Sequence, residues 1–214
     1  MTFLQLVEGP LFYIAAAVFV LGVVYRLIGI LKLGKERDYA KPNGSGFGGA
    51  IFTVLRHFVP RRTFWRGSSF HFIAGYAFHV GLFVLLLFAA PHVLFIQERI
   101  LGVGWATLPR WGFILTAEVA FAGLIMLWVR RFTDPVQKLI SKSGDYTTVI
   151  LTFLVMLTGC LALQESHAAL RATHMAFVDI WLIYFPFSGL IHTFTFFFSR
   201  AQTGATYGRR GAKL

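Results

Sequence analysis

"THMAFVDIWLIYFPFSGLIHTF", residues 173–194, is almost wholly apolar, yet it carries a histidine near each end. In an unbroken α-helix the eighteen residues from His174 to His192 make about five turns, which would put both imidazoles on one face about 27 Å apart. The hydrocarbon core of a bilayer is about 30 Å thick. The stretch therefore predicts a membrane-spanning helix with one histidine near each surface.

The rest of the chain agrees with a membrane setting. Of its 214 residues 57% are hydrophobic and 14% charged, with a mean hydropathy of +0.68. The apolar residues come in unbroken runs rather than amphipathic stripes, which excludes an ordinary soluble domain. Five runs stand out, at residues 11–31, 68–91, 111–129, 146–163 and 172–198. They predict an all-α polytopic membrane protein, a single bundle of five transmembrane helices over residues 1–214 that contacts membrane lipid. The opening "MTFLQLVEGPLFY" has no basic residue ahead of its apolar run, so a cleaved signal peptide is not expected and the first helix is retained.

A formal net charge of +11 could suggest nucleic acid, but its distribution excludes that partner. Lys32, Lys35, Arg37, Lys41, Arg56, Arg61, Arg62 and Arg66 crowd the first connection. Arg130, Arg131, Lys138 and Lys142 fill the third, and Arg200, Arg209, Arg210 and Lys213 the tail; the second and fourth hold only Arg99, Arg110 and Arg171. By the positive-inside rule the N-terminus is expected outside and the C-terminus inside.

Other features narrow the chemistry. Cys160 is the one cysteine; it cannot make an internal disulfide, an iron–sulfur site or a covalent c-type haem attachment, and is read as a packing residue of the fourth helix. The glycines of "KPNGSGFGGA" follow no strand and lack the lysine and hydroxyl of a phosphate loop. The basic and aromatic segment after them, with His57, is expected in the inner membrane interface, and the outer connection, with Trp105 and Trp111, against the opposite surface. Glu118 and Asp179 put ionisable groups at membrane depth, where the default reading is functional and the alternative is a hydrogen bond to a neighbouring helix. No internal repeat supports a two-halves transporter.

Five of the seven histidines belong to two helices: His71, His79 and His92 to the second, His174 and His192 to the fifth. Neutral imidazole is the commonest metal ligand, and bundles build cofactor sites from facing helices. A b-type haem with two histidine ligands needs one imidazole from each of two helices at one depth. Two haems, one toward each face, can be ligated by His71 with His192 and His79 with His174. The rival arrangement uses His79 with His192 and His92 with His174. Gly75 and Gly81 would make room for a macrocycle or a close helix, and Pro186 can kink the fifth helix and free a carbonyl to orient a ligand. Pro91 can already break the second helix before His92, and Arg61, Arg62 and Arg66 could pair with propionates.

These residues resemble a known family, the cytochrome b gamma subunit of membrane-bound respiratory nitrate reductase and its relatives in sulfite-reduction-linked and heterodisulfide-reductase-like membrane complexes. The resemblance is carried by the two histidines eighteen apart with Phe-Pro-Phe-Ser before the second, by "FHVG" around His79 and "PH" at Pro91–His92. "SGDYTTVILTFLVMLTGCLAL" and "PLFYIAAAVFVLGVVYR" extend it over most of the chain. The spacing of the second-helix histidines departs from the family pattern.

The resemblance implies a dihaem b-type electron-transfer subunit of a bacterial or archaeal cytoplasmic membrane. It would oxidise menaquinol or ubiquinol and pass electrons to a cytoplasmic-side redox subunit carrying iron–sulfur centres, molybdenum or a sulfite- or heterodisulfide-reductase-like site. Terminal reduction would belong to that partner. Arg110 stands where the family also carries a basic residue, so the quinol site is expected at Arg110, with Glu118 as proton acceptor. The competing classes are a small histidine-containing transporter and a non-redox membrane anchor.

Overall fold

The computed structural model describes residues 1–34, 38–60, 62–163 and 167–212. Lys35, Arg37, Arg61 and Lys213 lie outside the described residues, as do the side chains of Arg62 and Arg66. The fold is all-helical. The order is α1 (Phe3–Glu8), α2 (Pro10–Lys32), α3 (Gly46–Arg56), α4 (Arg62–Phe88), α5 (Ala90–Ile96), α6 (Arg110–Thr133), α7 (Pro135–Ile140), α8 (Ser143–Ala162), α9 (Ala168–Tyr184) and α10 (His192–Arg209). Among the described residues four stretches are long and apolar enough to cross a membrane: Phe3–Lys32, Gly67–Phe88, Arg110–Thr133 and Ser143–Ala162. A fifth, Ala168–Phe187 with Gly189–Arg209, qualifies only as a pair bent by 75°.

The kink allowed for at Pro186 is a full break, and it overturns the expectation that one continuous helix carries His174 and His192 on one face. Pro186 has no N–H to give and its ring crowds the preceding turn, so α9 ends in a 3₁₀ turn, Phe185–Phe187. Ser188 is extended, at φ −114° and ψ 179°. Its hydroxyl donates to the Phe185 carbonyl and accepts the Leu190 N–H. After a second 3₁₀ turn, Gly189–Ile191, α10 starts at His192.

Backbone contacts gather the chain into two compact units. The first comprises Met1–Glu8 and Phe64–Val178. Its core, Leu85, Ala117, Ala120, Leu124 and Met156, lies between α4, α6 and α8, and Cys160 packs against it as a small apolar residue. Small residues bring α4 and α6 into backbone contact: a Cβ on Gly123 would lie 2.7 Å from the Ala74 carbonyl oxygen, and one on Gly81 2.7 Å from the Ala120 Cβ. Without a hydrophobic force between helices in lipid, such close approach is how they adhere. Glu8 and Arg171 form an ion pair that ties α1 to the start of α9.

The second unit comprises Gly9–Thr63 and Asp179–Leu214. Val23 of α2 packs with Phe185, Leu190 and Ile191 at the helix break. Gly22 makes room for the proline there, since a Cβ on it would meet the Pro186 ring at 2.6 Å. The glycine stretch is not a loop throughout: α3 starts within it at Gly46 and runs to Arg56, capped by the Ser45 hydroxyl on the Gly48 N–H. Gly49 of α3 packs on Gly204 and Gly208 of α10, where a Cβ on Gly208 would lie 2.7 Å from the Gly49 Cα. Beyond this contact the Arg200 guanidinium lies 4.8 Å from the Phe58 ring centre and 5.2 Å from that of Phe196, a cation–π clamp.

Candidate histidine site

Proline shapes the C-terminal end of α4. Ala89 is extended, at φ −66° and ψ 134°, and Pro91 opens α5. Because Pro91 has no N–H, the Leu87 carbonyl has no helical donor. The Trp105 indole N–H fills that place at 2.7 Å, and the Phe88 carbonyl accepts from the Leu108 N–H at 2.9 Å. The aromatic connection between α5 and α6 thus caps a broken helix. The break also turns His92 back over the last turn of α4, where its Nδ1 lies 3.1 Å from the Leu85 carbonyl oxygen.

His174 comes from α9 to the same place. Its ring centre stands 6.4 Å from that of His92, with the ring planes 27° apart. Its Nδ1 is 3.2 Å from the Thr158 hydroxyl of α8. That hydroxyl spends its one proton on the Leu154 carbonyl, 2.7 Å away, so it accepts the Nδ1–H of His174. A carbonyl only accepts, so His92 also holds its proton on Nδ1. Both rings therefore carry their lone pair on Nε2, the arrangement in which a hydrogen bond to the other nitrogen fixes a metal-ligating histidine. Gly159 provides the space, since a Cβ there would lie 3.0 Å from the His174 Cε1.

The separation of the two ring centres meets one requirement of a group held by two imidazoles. An imidazole nitrogen sits about 2 Å from a metal it binds, and the ring centre about 1 Å beyond it. Two axial ligands then have centres about 6 Å apart, in agreement with 6.4 Å. Among the described residues no group of three or more His, Cys, Asp or Glu gathers as a metal cluster. A haem, whose porphyrin supplies the other iron ligands, needs only the pair.

The other expected residues are placed as follows. His79 is half-buried on α4, its Nδ1 2.7 Å from the Gly75 carbonyl oxygen and its ring edge-on to Phe78. His192 is exposed at the start of α10, with Nδ1 2.7 Å from the Gly189 carbonyl oxygen. His71 is exposed on α4 and its ring contacts Phe72. Arg110 and Glu118 are both exposed on α6. Asp179 is 1% exposed, and both its carboxyl oxygens lack a hydrogen bond among the described residues. Thr158 and Gly159 are the site residues that sequence reading missed; the signal was "LTGC", a hydroxyl beside a glycine within an apolar helix.

A protein of Nitratidesulfovibrio vulgaris (strain Hildenborough) is similar to this chain, 28% identical over 211 residues that cover 95% of this chain and 93% of the relative. No family model matches the chain, and no solved structure matches it.

Proposed function

We propose that this protein is a dihaem b-type membrane subunit of a respiratory oxidoreductase complex, oxidising a membrane quinol and delivering electrons to a partner redox subunit on the inner side. The observation that carries the reading is the His92–His174 pair, 6.4 Å apart with near-parallel rings and with both Nδ1 atoms engaged. Of the two pairings open from sequence, this geometry favours the one that joins His92 to His174. His71, His79 and His192 remain the candidates for the second haem. A bound haem b supplies a one-electron carrier at the site.

The chain's own residues hold and orient. The Leu85 carbonyl and the Thr158 hydroxyl fix the two imidazole tautomers, the Pro91 break sets the direction of His92, and Gly159 keeps the space beside His174 open. Oxidising a quinol releases two protons and two electrons, so a hydrogen-bonding group is needed at the ring oxygen. Arg110, exposed at the start of α6, is proposed for that contact. With the N-terminus outside, as the charge distribution favours, the basic inner segments face the partner, and co-purification of a cofactor-bearing subunit with the chain checks that docking.

The direct test is a visible spectrum of the purified protein. A Soret band and an α band that a quinol analogue reduces are expected. A protein purified from haem-replete membranes without these bands is an anchor or a transporter, and the reading falls.

A further inference from the structure

We infer that the outward face of α6 docks a transmembrane helix of a partner membrane protein, one that offers a hydrogen-bond donor to Glu118. The packed side of α6 is formed by Gly112, Ala117, Ala120, Gly123 and Leu124, all buried. Glu118 stands about 160° around the helix from Ala120 and about 12 Å past Arg110 along the axis. It is therefore in the membrane and turned away from its own core, exposed and without a hydrogen bond or ion pair among the described residues. Its neighbours on that face, Ile114, Leu115, Ala122, Ile125 and Val129, are exposed as well.

A carboxyl in a span is costly, and such groups face protein or water rather than lipid. The face holds Glu118 at the centre of an apolar stripe, which selects the occupant. A second copy packed on the same face would bring carboxyl against carboxyl, which like-charge repulsion opposes unless a proton is taken up. A helix carrying a hydroxyl, amide or basic side chain there satisfies the group, and Ala122, one turn deeper, leaves room for it. Interhelical hydrogen bonds of this kind hold membrane bundles together. The inference stands independently of the haem reading.

The test uses the full chain in its native membrane, with photoreactive benzoylphenylalanine placed at Leu115 or at Ala122 and the adducts read by mass. One adduct with a second membrane protein is expected, its attached peptide lying in a transmembrane helix with Ser, Thr, Asn, Gln, His, Lys or Arg within a turn. Its yield should fall at least about fivefold in E118L, as for the loss of one buried hydrogen bond, and persist in E118Q. The purified chain should keep its thermal stability in both variants. An adduct of two copies of this chain, one within the chain, attachment to lipid alone, a partner helix without a donor, or an undiminished yield in E118L each overturns the inference. So does a loss of the purified chain's stability in E118L, because Glu118 would then be holding this protein's own fold together.

Discussion

The imidazoles of His92 and His174 stand 6.4 Å apart, centre to centre, with planes 27° from parallel, although 82 positions separate them in the chain. Three local features bring this about: a proline break after α4, a hydroxyl on α8 that accepts from His174, and a glycine beside it that leaves the ring its space.

Thr158→Val keeps the volume and removes the oxygen 3.2 Å from the His174 Nδ1. Loss of an outer partner of a metal-ligating histidine typically weakens the metal's hold by about 10- to 100-fold. One haem should become easy to lose on dilution while the other stays. Gly159→Val, which drives a side chain into the ring at its 3.0 Å contact, should act on the same haem. Haem titration of the purified variants checks both; retention equal to wild type in each would remove Thr158 and Gly159 from the site.

Arg110 is exposed at the start of α6, and no helix core depends on it. Arg110→Ala should slow haem reduction by a quinol analogue about tenfold or more, as for a lost proton-handling contact, with haem content unchanged. Stopped-flow absorbance gives the rate. Unaltered kinetics would move the quinol site elsewhere.

The second unit depends on glycine contact between α3 and α10. Gly208→Leu has to force apart backbones where even a Cβ would lie 2.7 Å from the Gly49 Cα. Overpacking of this kind costs about 1–3 kcal/mol. A lowered midpoint of thermal unfolding is expected, whereas Gly29→Leu, with open space at the Cβ, should leave it in place.

The cap between α6 and α7 should respond to pH. The Gln137 backbone N–H, joined by that of Val136 and by Arg130, holds the Asp134 carboxyl below the ordinary carboxylate range. A carboxyl lowered by folding contributes stability that is fully present above its unfolded value. That contribution is lost as pH falls through the lowered folded value. Amide exchange at Val136 and Gln137, corrected for intrinsic rates, should therefore be protected at neutral pH and quicken in acid. In Asp134→Ala it should be fast at both. Protection that is indifferent to the substitution would show that the cap does not hold the turn.

The helices could be read in the sequence because a membrane span must satisfy its own backbone and present apolar side chains over about twenty residues. The run at 111–129 lies within α6, and that at 146–163 ends one residue past α8. The break in the fifth run was written in "FPFSG", but apolarity continues across it, so spacing alone made one straight helix of two. The break in the second run was legible at Pro91 and falls there, with Ala89 extended. Glu118 was visible as an ionisable group at depth. Its outward direction was not, since α6 is apolar all round and no periodicity marks a packed side. Pairing of His92 with His174 belonged to the rival of the two arrangements, the preferred one joining His79 to His174. The choice rests on tertiary facts, chiefly Thr158 and Gly159 on a third helix, that no local pattern encodes.

The most direct test of the central claim is haem stoichiometry in the single variants His92→Ala and His174→Ala and in their combination, measured by pyridine haemochrome against protein mass. Two haems per chain are expected in the wild type and one in each single variant. The double variant should also keep one, because both histidines serve the same group. A double variant that loses both haems, or either single variant that keeps two, would contradict the account.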